Sequence, residues 1–478
     1  MKQTNITRFV QMLQPVRFRP SKARTHDTDG RTPFDSDFAR VALSAPIRRL
    51  QDKTQVFPLA DYDFVRNRLT HSIEVMTMAR GLGLGVEKML QAEGLDLVNC
   101  SINDPMRNAV SKILEVAALV HDLGNPPFGH KGEKAVQKYF RSAEGYVGRL
   151  VFSNLLTDVE RADLQNIEGN VQGFRILCHL ALAEDDYSYN LTMPVLATVV
   201  KYPFSSIDGN NGNAGPFRKK FGFLASEAEC YGQVCATLGL APGQRHPLTF
   251  LLEAADDITY HACDLEDGFK NGIISIRDIK KRITRDVVNG DTDILGYIER
   301  LGEDNDPLEN ELVMQKLRIA IQSKMIIACT EEFMTHIDAI IEGTYATSLL
   351  EATPFGALSE VLGDLDNCNF SSGQVRGKEE DGINKMLYLL NGYAKALTLL
   401  REDTDPLSPE YQLYRTISPN YRKAACKDGH NIPVCLYDKL LLVTDFIFGM
   451  TDRFVLNMYE DVKIEELIMR VKCKIDSL

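Results

Sequence analysis

Over residues 104–124 the chain carries Val110, Ile113, Leu114 and Ala117 at helical spacing, and His121 falls on the same face. Asp104 is an N-cap residue type, Pro105 suits a first helical position, and Gly124 can close the helix in a left-handed cap. A stripe this apolar has to be covered by other helices. It predicts a buried helix that delivers a polar His121-Asp122 pair at its end. The same period recurs over 69–82, 195–201, 312–341, 382–400 and 437–459, and from Pro247 beyond Asp264, where Leu248, Leu251, Leu252 and Ala255 form the stripe. Alternating strand patterns are scarce, and 205–216 (S-S-I-D-G-N-N-G-N-A-G-P) and the segment from Ala352 (A-T-P-F-G-A-L-S-E) are breaks. The expectation is an all-α protein, with a helical core over 1–330 and further C-terminal helices, 331–478, packed on it.

The 478 residues, 44% hydrophobic, can bury a core that needs no disulfides. The ten cysteines are scattered without a C-x-x-C, which suits reduced thiols better than a disulfide framework or a zinc ribbon. The first residues lack the apolar stretch of a secretory signal, and the apolar runs at 116–120 and 440–443 are too short to cross a bilayer, so a cytoplasmic protein without a membrane partner is expected. A formal charge of −12 argues against a surface that coats nucleic acid. It leaves room for a small anion in a local basic pocket. Basic residues cluster at Arg48, Arg49 and Lys53, at 218–220 and at 280–282, each of which is otherwise an ordinary solvated face.

The chemistry concentrates in A-L-V-His121-Asp122-L-G-Asn125-P-P-F-G-His130-K-G-Glu133. Adjacent helical residues point about 100° apart, so His121 and Asp122 can serve one cation only near a helix end, and other helices must complete the set. His71 in R-L-T-H-S-I-E and Asp256 in L-L-E-A-A-D-D-I-T-Y are the candidates. Imidazole nitrogens with carboxylate oxygens suit a divalent cation that keeps positions open for water and phosphate. A bare His-Asp pair is weak, because a core histidine satisfied by its neighbours explains it equally well. The Pro-Pro turn and the second histidine that follow at the end of so apolar a helix strengthen the case for a site.

His71, His121-Asp122 and Asp256, in that order, resemble the H…HD…D signature of HD-domain hydrolases. More narrowly, the chain resembles the bacterial deoxyguanosinetriphosphate triphosphohydrolase family. The matching stretches are R-R-L-Q-D-K-T-Q-V-F (48–57), N-R-L-T-H-S (67–72), H-D-L-G-N-P-P-F-G-H (121–130), E-G-N-V-Q-G-F-R-I (168–176), K-Y-P (201–203), K-K-F-G-F (219–223), A-D-D-I-T-Y-H-A-C-D-L-E-D (255–267) and G-M-T-D (449–452). The resemblance implies cleavage of a dNTP, dGTP favoured, to deoxynucleoside and inorganic triphosphate, with water attacking the α-phosphorus. It implies His71, His121, Asp122 and Asp256 as ligands of a divalent cation, Mn or Mg before Co, Fe or Zn. His130 would protonate the departing 5′-oxygen, with Glu133 about one turn away to orient it, and Glu168 would stand near the reacting water. Arg68, Lys201, Tyr202 and Lys220 would hold the triphosphate. Asp256, Tyr260 and Asp264, spaced four apart, share a helical face; the resemblance implies that Tyr260 and Asp264 bracket the sugar, joined by Gln55. Tyr421 and Arg422 in S-P-N-Y-R-K would reach substrate from the C-terminal part. A homohexamer, and single-stranded DNA as an effector, also follow from the resemblance. Many relatives carry His where Asn125 stands; Asn is no acid near neutral pH, which moves the acid–base burden to His130.

Three other readings compete. A broad dNTPase would share every motif. A nucleoside-monophosphate or cyclic-nucleotide phosphohydrolase would need the metal set but not Lys201, Lys220 and the Tyr260/Asp264 pair. A nucleic-acid-binding regulator on the same fold would have no need of four ligands and His130, and the net acidity counts against it. Two nucleotide-loop lookalikes fail: G-L-G-L-G (81–85) sits in a helical stretch, and G-Q-V-R-G-K-E (373–379) ends in Glu where a P-loop has Ser or Thr.

Overall fold

Asn67 starts the first helix of the site. Its side chain accepts from the Thr70 N–H at 2.9 Å, while Thr70 Oγ1 accepts from the Asn67 N–H at 3.0 Å, a reciprocal cap. The computed structural model describes all residues except 21–29, 57–65, 102, 182–186, 211, 213–215, 371–372, 428 and 478. Phe57 of the 48–57 stretch and part of the 205–216 break therefore lie outside the described residues. Helix α1 (Arg68–Ala92) runs past the end expected at Leu82, through Gly81, Gly83 and Gly85. Gly83 is where the next helix comes closest: a Cβ there would lie 2.5 Å from Ser111 Cα. One turn on, buried Glu87 accepts from the Ser111 N–H at 2.9 Å and hydroxyl at 3.1 Å, which satisfies the polar groups inside this contact.

Ser111 belongs to α2 (Ala109–Val120), whose Val110, Ile113, Leu114 and Ala117 are wholly buried as the stripe predicts. Burying each of its larger side chains stabilises the fold by roughly 1.5–3 kcal/mol. Its start differs from expectation. Asp104 Oδ1 accepts from the Met106 N–H at 2.8 Å, an Asx turn, and the helix begins only after Asn108, at φ 53. Asp and Pro serve a turn as readily as a cap, so the residue types could not separate the two. The end differs too. Gly124 is not left-handed; it is a point of close approach, because a Cβ there would lie 2.0 Å from the Gly169 carbonyl oxygen and 2.1 Å from Gly173 N.

Beyond the Pro-Pro turn come α3 (Gly129–Arg141), α4 (Gly169–Arg175), which presses on Gly124, and α5 (Met193–Val199). Helix α6 (Pro247–Lys270) runs unbroken from the His246 cap, with Pro247 at its first position, and packs on α1 and α2. It also packs on α7 (Pro307–Thr335) and α8 (Gly356–Phe370). The helix expected over 312–341 is two, because His336 leaves helical geometry (φ −107, ψ 13) before Ile337–Glu342 resumes. Helix α9 (Gly373–Leu399) packs on α3 and on α10 (Leu436–Phe448). The helix expected over 437–459 is likewise broken between α10 and α11 (Asp452–Glu460). A continuous cluster of buried apolar side chains extends from Phe9 to Ile475, so the C-terminal helices share the core. Among the described residues there is no strand, only an isolated bridge between Thr54 and Asn67. No described helix is long and apolar enough to cross a membrane.

Candidate active site

Helices α1, α2 and α6 meet where His71, His121 and Asp256 converge. One ligand atom from each lies within 4.8 Å of the others. His71 Nε2 stands 3.3 Å and His121 Nε2 3.4 Å from Asp256 Oδ1. His121 Nδ1 is 2.6 Å from the Ala118 carbonyl, so Nδ1 carries a proton and Nε2 is the nitrogen turned into the cluster. That Nε2 is buried and has no hydrogen-bond partner. Asp122 stands beside the three, with Oδ1 3.7 Å from His121 Nε2, but its oxygens are engaged: Oδ2 accepts from Arg68 Nη1 at 2.6 Å and Oδ1 from Asn125 Nδ2 at 2.5 Å. Asn125 thus serves as a donor to Asp122.

The electrostatics call for positive charge. Burial alone would lower the His121 imidazole, but the carboxylates of Asp122 and Asp256 outweigh it and raise it to about 9. Burial would raise Asp122, yet the Arg68 guanidinium, with His121 and His71, draws it down to about 2. Asp256 lies well below the carboxylate range, because Lys201 and His121 overcome its burial. Two ionised carboxylates around an orphaned imidazole nitrogen are a donor set that fits a divalent cation.

Lys201 Nζ donates to the other Asp256 oxygen at 2.9 Å, and despite burial Asp256, Glu253 and Asp257 push its pKa up, so it stays charged. Tyr202 beside it is buried. Lys220 is paired with Glu168, which also accepts from Asn170 Nδ2 at 3.1 Å; the second Glu168 oxygen is buried without a partner. His130 Nδ1 lies 3.1 Å from Glu133 Oε1, while Glu133 Oε2 accepts from the Gly169 N–H at 2.9 Å. Burial would raise Glu133, but the His130 hydrogen bond, with Lys220 and the Gly169 N–H, holds it below its ordinary value. The imidazole is largely exposed on this fixed carboxylate.

Asp256, Tyr260 and Asp264 line one face of α6 as their spacing predicts, and the Tyr260 hydroxyl is hydrogen-bonded to Asp264. Burial, with Asp264, Asp366 and Asp256 near, pushes the phenol up and keeps it a donor. Gln55 Oε1 is buried without a partner. Arg422 stands apart: it donates to the Ile417 carbonyl at 3.1 Å and lies over the Tyr414 ring, and Tyr421 accepts from Arg49 Nη1 at 3.0 Å. Both are engaged among the C-terminal helices and Arg49.

Two further polar residues belong to this site: Lys53 of the Arg48, Arg49 and Lys53 cluster, which is buried and not on a solvated face, and Asp452. Lys53 donates to the carbonyls of Asn125 at 2.5 Å and Phe448 at 2.6 Å, and burial beside Arg68 draws its pKa down to about 7. Asp452 accepts from the Phe128 N–H at 3.0 Å. Phe128 sits at φ 59, a conformation that costs a non-glycine residue on the order of 1–3 kcal/mol and persists only where the surroundings impose it. The one signal for Asp452 was its place in G-M-T-D.

Comparison with known proteins agrees with this arrangement. Residues 68–183, which carry His71, His121, Asp122, His130 and Glu133, match the HD domain. That match implies a divalent metal. A deoxyguanosinetriphosphate triphosphohydrolase-like protein of Listeria monocytogenes is 35% identical over 91% of this chain and 95% of its own length. One from Synechocystis is 32% identical over 95% and 98%. The deoxyguanosinetriphosphate triphosphohydrolase of Salmonella arizonae is 31% identical over 89% and 92%. With relatives this similar along nearly their whole length, and with the HD residues gathered at one buried centre, the chain belongs to the deoxyguanosinetriphosphate triphosphohydrolase-like family of HD-domain hydrolases.

Proposed function

We propose that this chain hydrolyses a deoxynucleoside triphosphate, dGTP favoured, to deoxynucleoside and inorganic triphosphate, by attack of water on the α-phosphorus. The observation that carries the reading is the double engagement of Asp256: one oxygen faces His71 and His121, the other takes Lys201. Metal-type and phosphate-type groups therefore share a carboxylate, which would bring a cation and a phosphate to one place. His71, His121 and Asp256, with Asp122 beside them, would hold the cation, Mn or Mg first. Such a cation supplies Lewis acidity to a phosphoryl oxygen and acidity to a water.

The protein's own groups do the rest. Lys201 and Lys220 each rest on a carboxylate, Asp256 and Glu168, so an arriving triphosphate exchanges one anion for another. Arg68 neutralises Asp122 at the metal side, and Tyr202 completes the clamp. Glu133 occupies His130 Nδ1, which leaves Nε2 to deliver a proton to the 5′-oxygen as it departs. Glu168, with one free buried oxygen, accepts a hydrogen bond from the attacking water. Tyr260, Asp264 and Gln55 bound the sugar; a phenol packed against C2′ disfavours a 2′-hydroxyl.

Incubation of the Mn- or Mg-loaded protein with each dNTP, followed by separation of nucleoside and phosphate products, tests this. Free triphosphate with deoxynucleoside, fastest from dGTP, is expected. Release of pyrophosphate or orthophosphate as the first product would sink the reading.

A further inference from the structure

Asp452 opens α11, far along the chain from the HD motif, yet both its oxygens are engaged at the candidate active site. Oδ1 accepts from the Phe128 N–H at 3.0 Å; Oδ2 accepts from the Thr54 N–H at 3.0 Å and from the Thr54 hydroxyl. The residue is 2% exposed, so water does not compete for these bonds. Phe128 at φ 59 and Gly129 at φ 55 form the turn directly ahead of His130. The Phe128 ring is gripped from another side, for a Cβ at Gly382 on α9 would lie 2.3 Å from its Cζ. Gln55 follows Thr54 directly. Lys53 braces the same junction by bonding the Asn125 and Phe448 carbonyls.

We propose that Asp452 is a positioning residue that sets His130 against Gln55, which makes the C-terminal helices a working wall of the active site. The role assigned to His130 rests on the function proposed above; the placement itself rests on geometry alone. Three donors converge on two carboxylate oxygens. An asparagine offers one oxygen and one NH2, so one of the donors would face another donor. With the oxygen kept by the two Thr54 donors, the NH2 faces the Phe128 N–H; Phe128 then loses the bond that holds its left-handed backbone, and His130 leaves its line to the leaving oxygen. A glutamate keeps both acceptors on a longer stem.

The test compares full-length wild type with Asp452→Asn and Asp452→Glu. Amide hydrogen exchange over 126–133 and 53–56 should quicken by about tenfold or more in Asp452→Asn, with α2 and α6 keeping wild-type protection. Turnover of a dNTP should fall about tenfold or more, and KM should rise by a smaller factor, because the displaced His130 acts on the chemical step and the displaced Gln55 on sugar binding. Hydrolysis of bis(p-nitrophenyl) phosphate, whose leaving group needs no proton, should stay within about threefold of wild type. Asp452→Glu should recover part of both losses. Unchanged exchange over 126–133, or loss of both substrates in step with melting temperature, overturns the proposal. His130→Ala is the control: if it loses both substrates equally, the proton-donor role falls, and the exchange data still decide whether Asp452 holds the turn.

Discussion

Lys201 Nζ donates to Asp256 Oδ2 at 2.9 Å, on the carboxylate whose Oδ1 lies 3.3 Å from His71 Nε2 and 3.4 Å from His121 Nε2. One side chain of α6 thereby stands between the imidazoles and a buried lysine. Replacing Lys201 by Met should raise KM for a dNTP by about 10- to 100-fold, the worth of one charge-assisted phosphate contact. Binding of Mn should not weaken, because Asp256 loses a competitor. Initial-rate kinetics and calorimetric Mn titration check both halves; weaker Mn binding would contradict the arrangement.

Glu133 bridges His130 and the Gly169 N–H. Glu133→Gln keeps the size but offers one oxygen to two donors. Turnover should fall about 10- to 100-fold with metal content unchanged, and His130→Ala should cost about 10²–10⁴-fold, the span of a general acid. Metal analysis beside kcat decides; metal lost together with activity would point to a structural effect instead.

The parts of the site that depend on local helical periodicity were legible in the sequence. His121 on the buried face of its helix, and Asp256, Tyr260 and Asp264 on one face of α6, are such cases. What the sequence concealed is tertiary. Gly124 reads as a helix cap, but its need for glycine comes from the Gly169 carbonyl, on a helix that no local pattern brings near. His336 and the Gly449–Thr451 break look helical in sequence, but His336 leaves helical geometry and Thr451 caps α11 by accepting from the Phe454 N–H at 3.1 Å. Asp452 meets Phe128 across 324 positions of chain. Arg422, matched by motif to a substrate contact, bonds the Ile417 carbonyl and lies over the Tyr414 ring, neither of which a local pattern gives.

Gly124→Ala places a methyl about where the Gly169 carbonyl and Gly173 N already stand, at 2.0 and 2.1 Å. Backbone on both sides must retreat. Destabilisation on the order of 3 kcal/mol or more is expected from overpacking of this kind. Urea unfolding measures it; a change within about 0.5 kcal/mol, usual for a surface site, would contradict the close approach.

His246 is fully buried, with Nδ1 accepting from the Leu248 N–H at 3.3 Å and Nε2 donating to the Met12 carbonyl at 3.0 Å. Thr198 Oγ1 also lies 3.1 Å from Nδ1, and burial lowers the imidazole to about 4. The folded state therefore binds fewer protons than the unfolded one between about 4 and the ordinary value of 6.5. Its contribution is present above 6.5 and lost as pH falls through about 4, on the order of 3 kcal/mol in all. His246→Gln, which cannot titrate, should be less stable at pH 7.5 yet lose less stability than wild type on going to pH 5. Parallel losses in urea unfolding would count against it.

His71, His121 and Asp256 are placed to hold a cation, and turnover should depend on it. This dependence is tested most directly by counting Mn bound per chain in wild type and His121→Ala while following triphosphate release from dGTP. Bound Mn and triphosphate release are expected in wild type, and loss of both in the variant. A variant that binds Mn and cleaves dGTP as wild type does would contradict it.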